Sequence, residues 1–243
     1  MKRIILLIGA IVFLSSTVYP CFDTYLFLKR ASMVYPFKSL VFELSSEYSI
    51  NSIKSPNEDS FLSLGSLYYG LFKNFSVQFS VGSDEKSRNL FKVDYYAVRG
   101  VYNIYSSFMN RYTLDIIFEH RGKLDERNNE VEISLPNIFN TSNITYVIHP
   151  VLSYGLDSKD FTVGGHAGVF YIFNEIGLIG AGFEYASVHS SSYAGQRLTR
   201  SEYSMSLFLG SKIGEKFYLQ NEIAKGLANS RDFGFALTAK VIL

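Results

Sequence analysis

The sequence has no tryptophan, one cysteine and only five prolines in 243 residues. With Cys21 alone, neither an internal disulfide nor a cysteine-based metal site can form. So few prolines leave long stretches free to donate every backbone hydrogen bond of a sheet. An excess of one charge is also missing: 23 basic residues stand against 22 acidic ones, for a net charge of +1. No overall field would gather nucleic acid, and no nucleic-acid partner is expected. Beyond the N-terminal leader there is no apolar run long enough to span a bilayer as a helix, so a closed sheet is the one remaining way across lipid.

What is present is strand material. Phe and Tyr supply 21 and 18 residues, and aromatics make up 16% of the chain. Such residues suit pleated, half-buried surfaces. The leader itself reads as a signal peptide over residues 1–20. Lys2 and Arg3 form its positive end, Ile4 to Leu14 its apolar stretch, and Ser15, Ser16 and Thr17 the small residues near a cleavage site. Cys21 raises the alternative of a lipidated N-terminus, although Val18, Tyr19 and Pro20 lack the small neighbour that modification uses.

The period of the apolar residues decides the fold class. Leu40, Phe42, Leu44 and Tyr48 alternate with Ser39, Glu43, Ser45, Glu47 and Ser49. At the other end Phe233, Phe235, Leu237, Ala239, Val241 and Leu243 alternate with Asp232, Gly234, Ala236, Thr238 and Lys240. Period two sustained over about ten residues exceeds the usual soluble strand and matches a membrane crossing. The same reading gives twelve strands: 38–50, 61–72, 75–82, 91–105, 111–121, 130–139, 144–156, 161–173, 176–188, 199–213, 217–227 and 231–243. Pro136 interrupts the sixth. Tight connections such as Lys73-Asn74, Asn140 to Asn143 and Gly214 to Lys216 fall on one side. Longer polar ones, Asn51 to Ser60, Ser83 to Leu90, Gly122 to Asn129 and His189 to Leu198, fall on the other. The expected fold is a single all-β domain, a closed antiparallel transmembrane barrel of about twelve strands over residues 38–243, with both ends on the short-turn side.

On these features the chain resembles bacterial outer-membrane barrels as a class, including their closing strand of alternating apolar residues. The resemblance covers Lys38 to Leu243 and departs at Leu243, where such proteins typically carry an aromatic residue. It implies residence in the bacterial outer membrane, with the membrane's lipids and the barrel-insertion machinery as partners, and leaves the oligomeric state open. Residues 21–37 precede the pattern. The apolar Tyr25, Leu26, Phe27 and Leu28 favour a periplasmic lead-in over a plug, since a plug in a wet lumen needs polar surface.

Parity assigns the lumen a set of charges: Glu43, Glu47, Arg111, Asp115, Glu119, Arg121, Glu132, Glu184, Lys212, Glu222 and Lys240. Both signs occur, so mutual bracing of the wall is expected, and any channel should select weakly. Twelve strands enclose a narrow bore. His149 and His166 fall on the lumen face of adjacent strands as near-diagonal neighbours, but a catalytic metal usually takes three protein ligands and no third is placed. No metal and no cofactor are expected.

The most specific local pattern runs from Phe183 to Ser204. Its His189 and Ser191 share a face of an extended strand, so an imidazole could take the proton of a hydroxyl, with Glu202 available to orient the ring. This is similar to the His-x-Ser arrangement of lipid A 3-O-deacylases and outer-membrane phospholipase A, and the resemblance implies a lipid-facing esterase at the outer rim. Glu202 has the parity of Ser204, on the lumen side, and only a bulge would turn it to the outer face. The sequence therefore points to a narrow channel or structural envelope protein, with an outer-membrane esterase as the alternative.

Overall fold

A computed structural model describes residues 32–50, 60–87, 90–124, 129–174, 176–193, 196–228 and 232–243; side chains are described for all of these except 60, 84–92 and 188–200. The leader and most of the 21–37 segment lie outside the described residues, as do the tips of several outer connections.

Thirteen strand segments form one antiparallel sheet that closes on itself. They are β1 (Leu40–Ile50), β2 (Ser60–Phe72), β3 (Phe75–Ser87), β4 (Leu90–Ser106), β5 (Tyr112–Lys123), β6 (Asn129–Ser134), β7 (Asn137–Thr141), β8 (Ile144–Gly155), β9 (Phe161–Phe173), β10 (Gly177–Tyr193), β11 (Gln196–Ile213), β12 (Phe217–Ala228) and β13 (Phe233–Ile242). Each pairs with its sequence neighbours, except that β6 and β7 both lie between β5 and β8, and β1 pairs with β13, from Val41 opposite Ile242 to Ile50 opposite Phe233. No edge is left open, as a sheet in lipid requires.

β6 and β7 are two halves of one wall strand. Ser134 faces Val151 and Asn137 faces Ile148 in an unbroken register on β8, and the same continuity holds against β5. Pro136 has no N–H to give the ladder, which splits the strand without shifting it. Its carbonyl still accepts from Asp115, and Leu135 donates to Pro150. The wall therefore has twelve strands.

Side chains alternate as period two demands. On β11, Met205, Leu207 and Leu209 are exposed while Ser204, Ser206 and Phe208 are buried. On β1, Phe42 and Leu44 are exposed while Ser45 and Ser49 are buried. Exposed apolar groups of this kind recur on nearly every strand, including Phe79, Val98, Phe118, Ile148, Ile179, Ile223 and Phe235, and form a belt a water-soluble monomer would not tolerate. Near the short-turn end the belt turns aromatic with Tyr69, Tyr102, Tyr146 and Tyr171, where tyrosine fills the interfacial role in a chain without tryptophan. The two faces are separable by spectroscopy. Single cysteines at Leu207 and Leu209, carrying a fluorophore in bilayers of brominated lipid, are expected to be quenched, and cysteines at Ser206 and Phe208 are not; equal quenching at all four would reverse the assignment of faces.

Two boundaries differ from expectation. β3, β10 and β11 run three to five residues further toward the outer side and β4 one, so Ser83 to Leu90 and His189 to Leu198 are largely hairpin rather than loop. Pairing between two neighbours can continue after the rest of the wall has ended, and polar side chains on both faces do not oppose it there. The β9–β10 ladder stops at Gly164 opposite Ala186, whereas β10–β11 continues to Tyr193 opposite Gln196. Arg111 is the second difference. It lies in the turn before β5 and is exposed, so it stands at the rim instead of among the lumen charges.

Candidate functional site in the lumen

Toward the short-turn end the inner wall is apolar. Val101, Ile117, Ile138, Val147, Phe170, Ile172, Leu178, Phe208 and Tyr218 have inward parity, are buried, and pack into one apolar cluster. Inward apolar residues on so many neighbouring strands form a collar with no polar function, and the chain fills it with its own residues. Met33 and Val34 belong to the same cluster. Residues 32–36 thus form a strap against the inner wall at this end, and residues 21–31 of the expected periplasmic lead-in lie outside the described residues. The reason is chemical: the strap's apolar side chains meet an apolar collar, while its backbone finds polar partners in the wall.

Those partners hold it at both ends. Asp115 accepts from the Met33 amide at 2.6 Å, from the Ser32 hydroxyl at 3.0 and 3.1 Å, and from Asn103 at 2.7 Å. Near β1, the Tyr35 amide donates to Ser76 at 3.3 Å, and its hydroxyl accepts from Lys240 at 2.6 Å. The Lys240 ammonium also pairs with Glu43 at 2.7 Å and sits over the rings of Tyr35 and Tyr68, while Tyr68 donates to Glu43 at 3.0 Å. This lysine is 1% exposed. A carboxylate, a phenol oxygen and two aromatic faces are among the groups that replace its water.

The strap leaves β1 through a turn in which Ser39 donates to the Pro36 carbonyl, with Lys38 at φ 66°. It then passes so close to β2 that a Cβ on Gly70 would overlap the Pro36 carbonyl. Glycine at this lumen-face position is what lets the two backbones approach.

Toward the outer side the lumen wall becomes polar. Small hydroxyls pair across strands, Ser45 with Thr238 at 3.0 Å and Ser66 with Ser80 at 2.8 Å. On β4 to β6 an alternating cluster forms: Arg99 meets Glu119 at 2.5 Å, and Arg121 lies 2.9 Å from Glu130, 3.4 Å from Glu132 and 3.8 Å from Glu119. Across β8 to β11, His149 stands directly opposite His166 instead of diagonally, with ring centroids 5.5 Å apart. His166 in turn lies 3.8 Å from Glu184, which accepts from Ser204 at 3.0 Å. No group of three or more His, Cys, Asp or Glu able to hold a metal ion occurs among the described residues.

The structure thus brings Glu43 and Lys240 together, and likewise Glu119 and Arg121, while Asp115 serves the strap. Glu47 accepts from Ser49 at 2.9 Å, and Glu222 is buried on the inner face of β12. Arg99 and Glu130, absent from the sequence-derived set, are central to the largest cluster; their lumen parity was the signal available for both. Among the described residues the inward carboxylates are Glu43, Glu47, Asp94, Asp115, Glu119, Glu130, Glu132, Glu184, Glu202 and Glu222, against Arg99, Arg121, Lys123, Lys212 and Lys240. Carboxylates outnumber cations, and three of those cations are paired to carboxylates at the distances given.

At the rim, the side chains of His189 and Ser191 lie outside the described residues. The backbone register sets His189 opposite Thr199 and Glu202 opposite Ala186, so Glu202 keeps the inward parity of Ser204. The register of this hairpin shifts between Ser190 and Tyr193.

No protein-family model matches the sequence, nor does any curated protein sequence. The fold does find relatives among solved structures. An outer membrane channel from Pseudomonas putida F1 superposes with a TM-score of 0.71 over 93% of this chain and 100% of that one, at 12% identity. The NanC porin matches with a TM-score of 0.62 over 82% of this chain and 98% of its own, at 10% identity. The KdgM porin, in complex with disordered oligogalacturonate, gives 0.57 over 84% and 98%, at 14% identity. The closed twelve-stranded antiparallel barrel is therefore a fold this chain shares with bacterial outer-membrane channels and porins.

Proposed function

We propose that the protein is a narrow channel of the bacterial outer membrane whose lumen admits small cations in preference to anions. The observation that carries this reading is the inner wall itself: above the apolar collar it is lined by hydroxyls and by carboxylates in excess over cations. Twelve strands enclose more space than side chains of this size fill, and a polar wall around such a space is the surface water and small ions require. Mixed signs in the sequence suggested weak selectivity. The structure argues for a definite sign, because among the described residues the inward carboxylates outnumber the inward arginines and lysines. A polyanion such as the oligogalacturonate bound to the KdgM porin would be disfavoured in this lumen.

Outer-membrane residence follows from the same reading, since the exposed apolar belt needs lipid and the fold is that of outer-membrane barrels. The decisive measurement is the reversal potential of the purified protein in a planar bilayer under a roughly tenfold KCl gradient. Potassium is expected to be clearly more permeant than chloride. A reversal potential at zero, or one of the opposite sign, would sink the acidic-lumen argument.

A further inference from the structure

We infer that His149 and His166 form a two-imidazole site for a divalent transition-metal ion of the zinc, nickel or copper kind, and that Glu184 and Ser204 orient one of its rings. The inference goes beyond the channel reading and does not require conduction. Four inward positions stand in one row across the wall: His149 on β8 faces His166 on β9, His166 faces Glu184 on β10, and Glu184 faces Ser204 on β11. Directly opposite residues hold their Cβ atoms about 5 Å apart, which lets two rings converge on one ion. The paired strands fix that spacing without help from a loop.

The ring geometry agrees with a shared ion. Imidazole nitrogens at about 2.0–2.1 Å from a tetrahedral zinc put the two ring centres about 5 Å apart. Here the centroids are 5.5 Å apart, with the planes inclined by 51°. Nε2 of His149 is buried and has no hydrogen-bond partner among the described residues. A buried ring nitrogen in that position is costly, and coordination to an ion takes the place of a hydrogen bond. On the other ring, Nδ1 of His166 lies 3.8 Å from Glu184, which accepts from the Ser204 hydroxyl at 3.0 Å. A carboxylate at one ring nitrogen leaves the other for the metal, which is how ligating histidines are commonly held. No third protein ligand completes the set among the described residues, so water fills the remaining positions. Ligand type then chooses the ion: imidazole suits zinc, copper and nickel, whereas magnesium and calcium prefer oxygen.

Titration calorimetry with zinc chloride tests the site on the folded protein in detergent, purified without a polyhistidine tag. Residues 1–31 contain no histidine, and a Cys21→Ser background removes the one thiol, so neither supplies the two nitrogens. One zinc per chain is expected to bind in the presence of excess magnesium. His149→Ala and His166→Ala should each abolish that binding. His120→Ala, at a position with the outward parity of the exposed Phe118, should leave it intact. Glu184→Gln should weaken it by roughly tenfold or more, as loss of an orienting carboxylate does. Heat-modifiable mobility on a gel shows whether each variant is folded. A measurement that needs no histidine variant is the electron paramagnetic resonance of the Cu2+-loaded protein, in which the hyperfine pattern should contain two imidazole nitrogens. Absence of zinc binding to the folded Cys21→Ser protein, retention of zinc in both histidine variants, or a copper spectrum with fewer than two imidazole nitrogens would overturn the proposal.

Discussion

Replacing Glu43 with leucine is expected to lower the unfolding free energy of the barrel by about 3–5 kcal/mol, because it removes one partner of a buried ion pair. Lys240 reaches Glu43 across the β1–β13 seam, where the first and last strands close the wall, and is almost wholly removed from solvent. Of the contacts given above, the Tyr35 hydroxyl and the two aromatic faces do not replace the negative charge that Glu43 supplies. The double variant Glu43→Leu/Lys240→Met removes both charges and should recover most of the loss, since apolar groups of similar volume often substitute for a buried pair at little cost. Urea titration of the folded protein in detergent, followed by its heat-modifiable mobility on a gel, measures both variants. Equal stability of the single and double variants would show that the ammonium is satisfied without Glu43.

Valine at Gly70 is the second large effect. Its Cβ cannot coexist with the Pro36 carbonyl, and the obstructing atom belongs to backbone, so no side-chain rotation relieves the overlap. β2 is held on both sides by β1 and β3, whereas the strap is held by a few contacts. The strap is therefore the part that yields. Gly70→Val should lift residues 35–36 from the wall, raise the open probability in planar bilayers severalfold and, in a Cys21→Ser background, speed the reaction of a cysteine at the buried Ile138 with a charged methanethiosulfonate. Gly65→Ala, on the same strand but with nothing nearer than the Val81 carbonyl at 4.0 Å, should leave both readouts unchanged. A closed channel in Gly70→Val would mean that the collar seals without the strap seated at this point.

Parity was legible throughout, because it depends on nothing more distant than the next residue. The exposed Phe42 and Leu44 beside inward Glu43 and Ser45, and the same alternation on β13, follow from a local repeat that any strand obeys. The interruption at Pro136 was legible for the same reason. Strand ends on the outer side were not, because their extension depends on whether one neighbour keeps pairing after the others stop. The strap carried a partial signal. Val101, Ile117, Ile138, Val147 and Phe170 have lumen parity and apolar side chains, which demands an apolar filler, but the sequence does not say that Met33 and Val34 provide it.

The barrel is written into the order of residues alone: strand number, the two faces, and the side on which both ends lie all come from a period of two and the alternation of short and long connections. How the lumen charges are used is a matter of the closed sheet. Lys240 meets Tyr35 across 205 positions of chain, and Asp115 meets Met33 across 82. Such pairings arise from closure and register, which are properties of the whole wall. A one-residue slip between two strands would leave each strand's own alternation intact and still send every one of these side chains to a different partner.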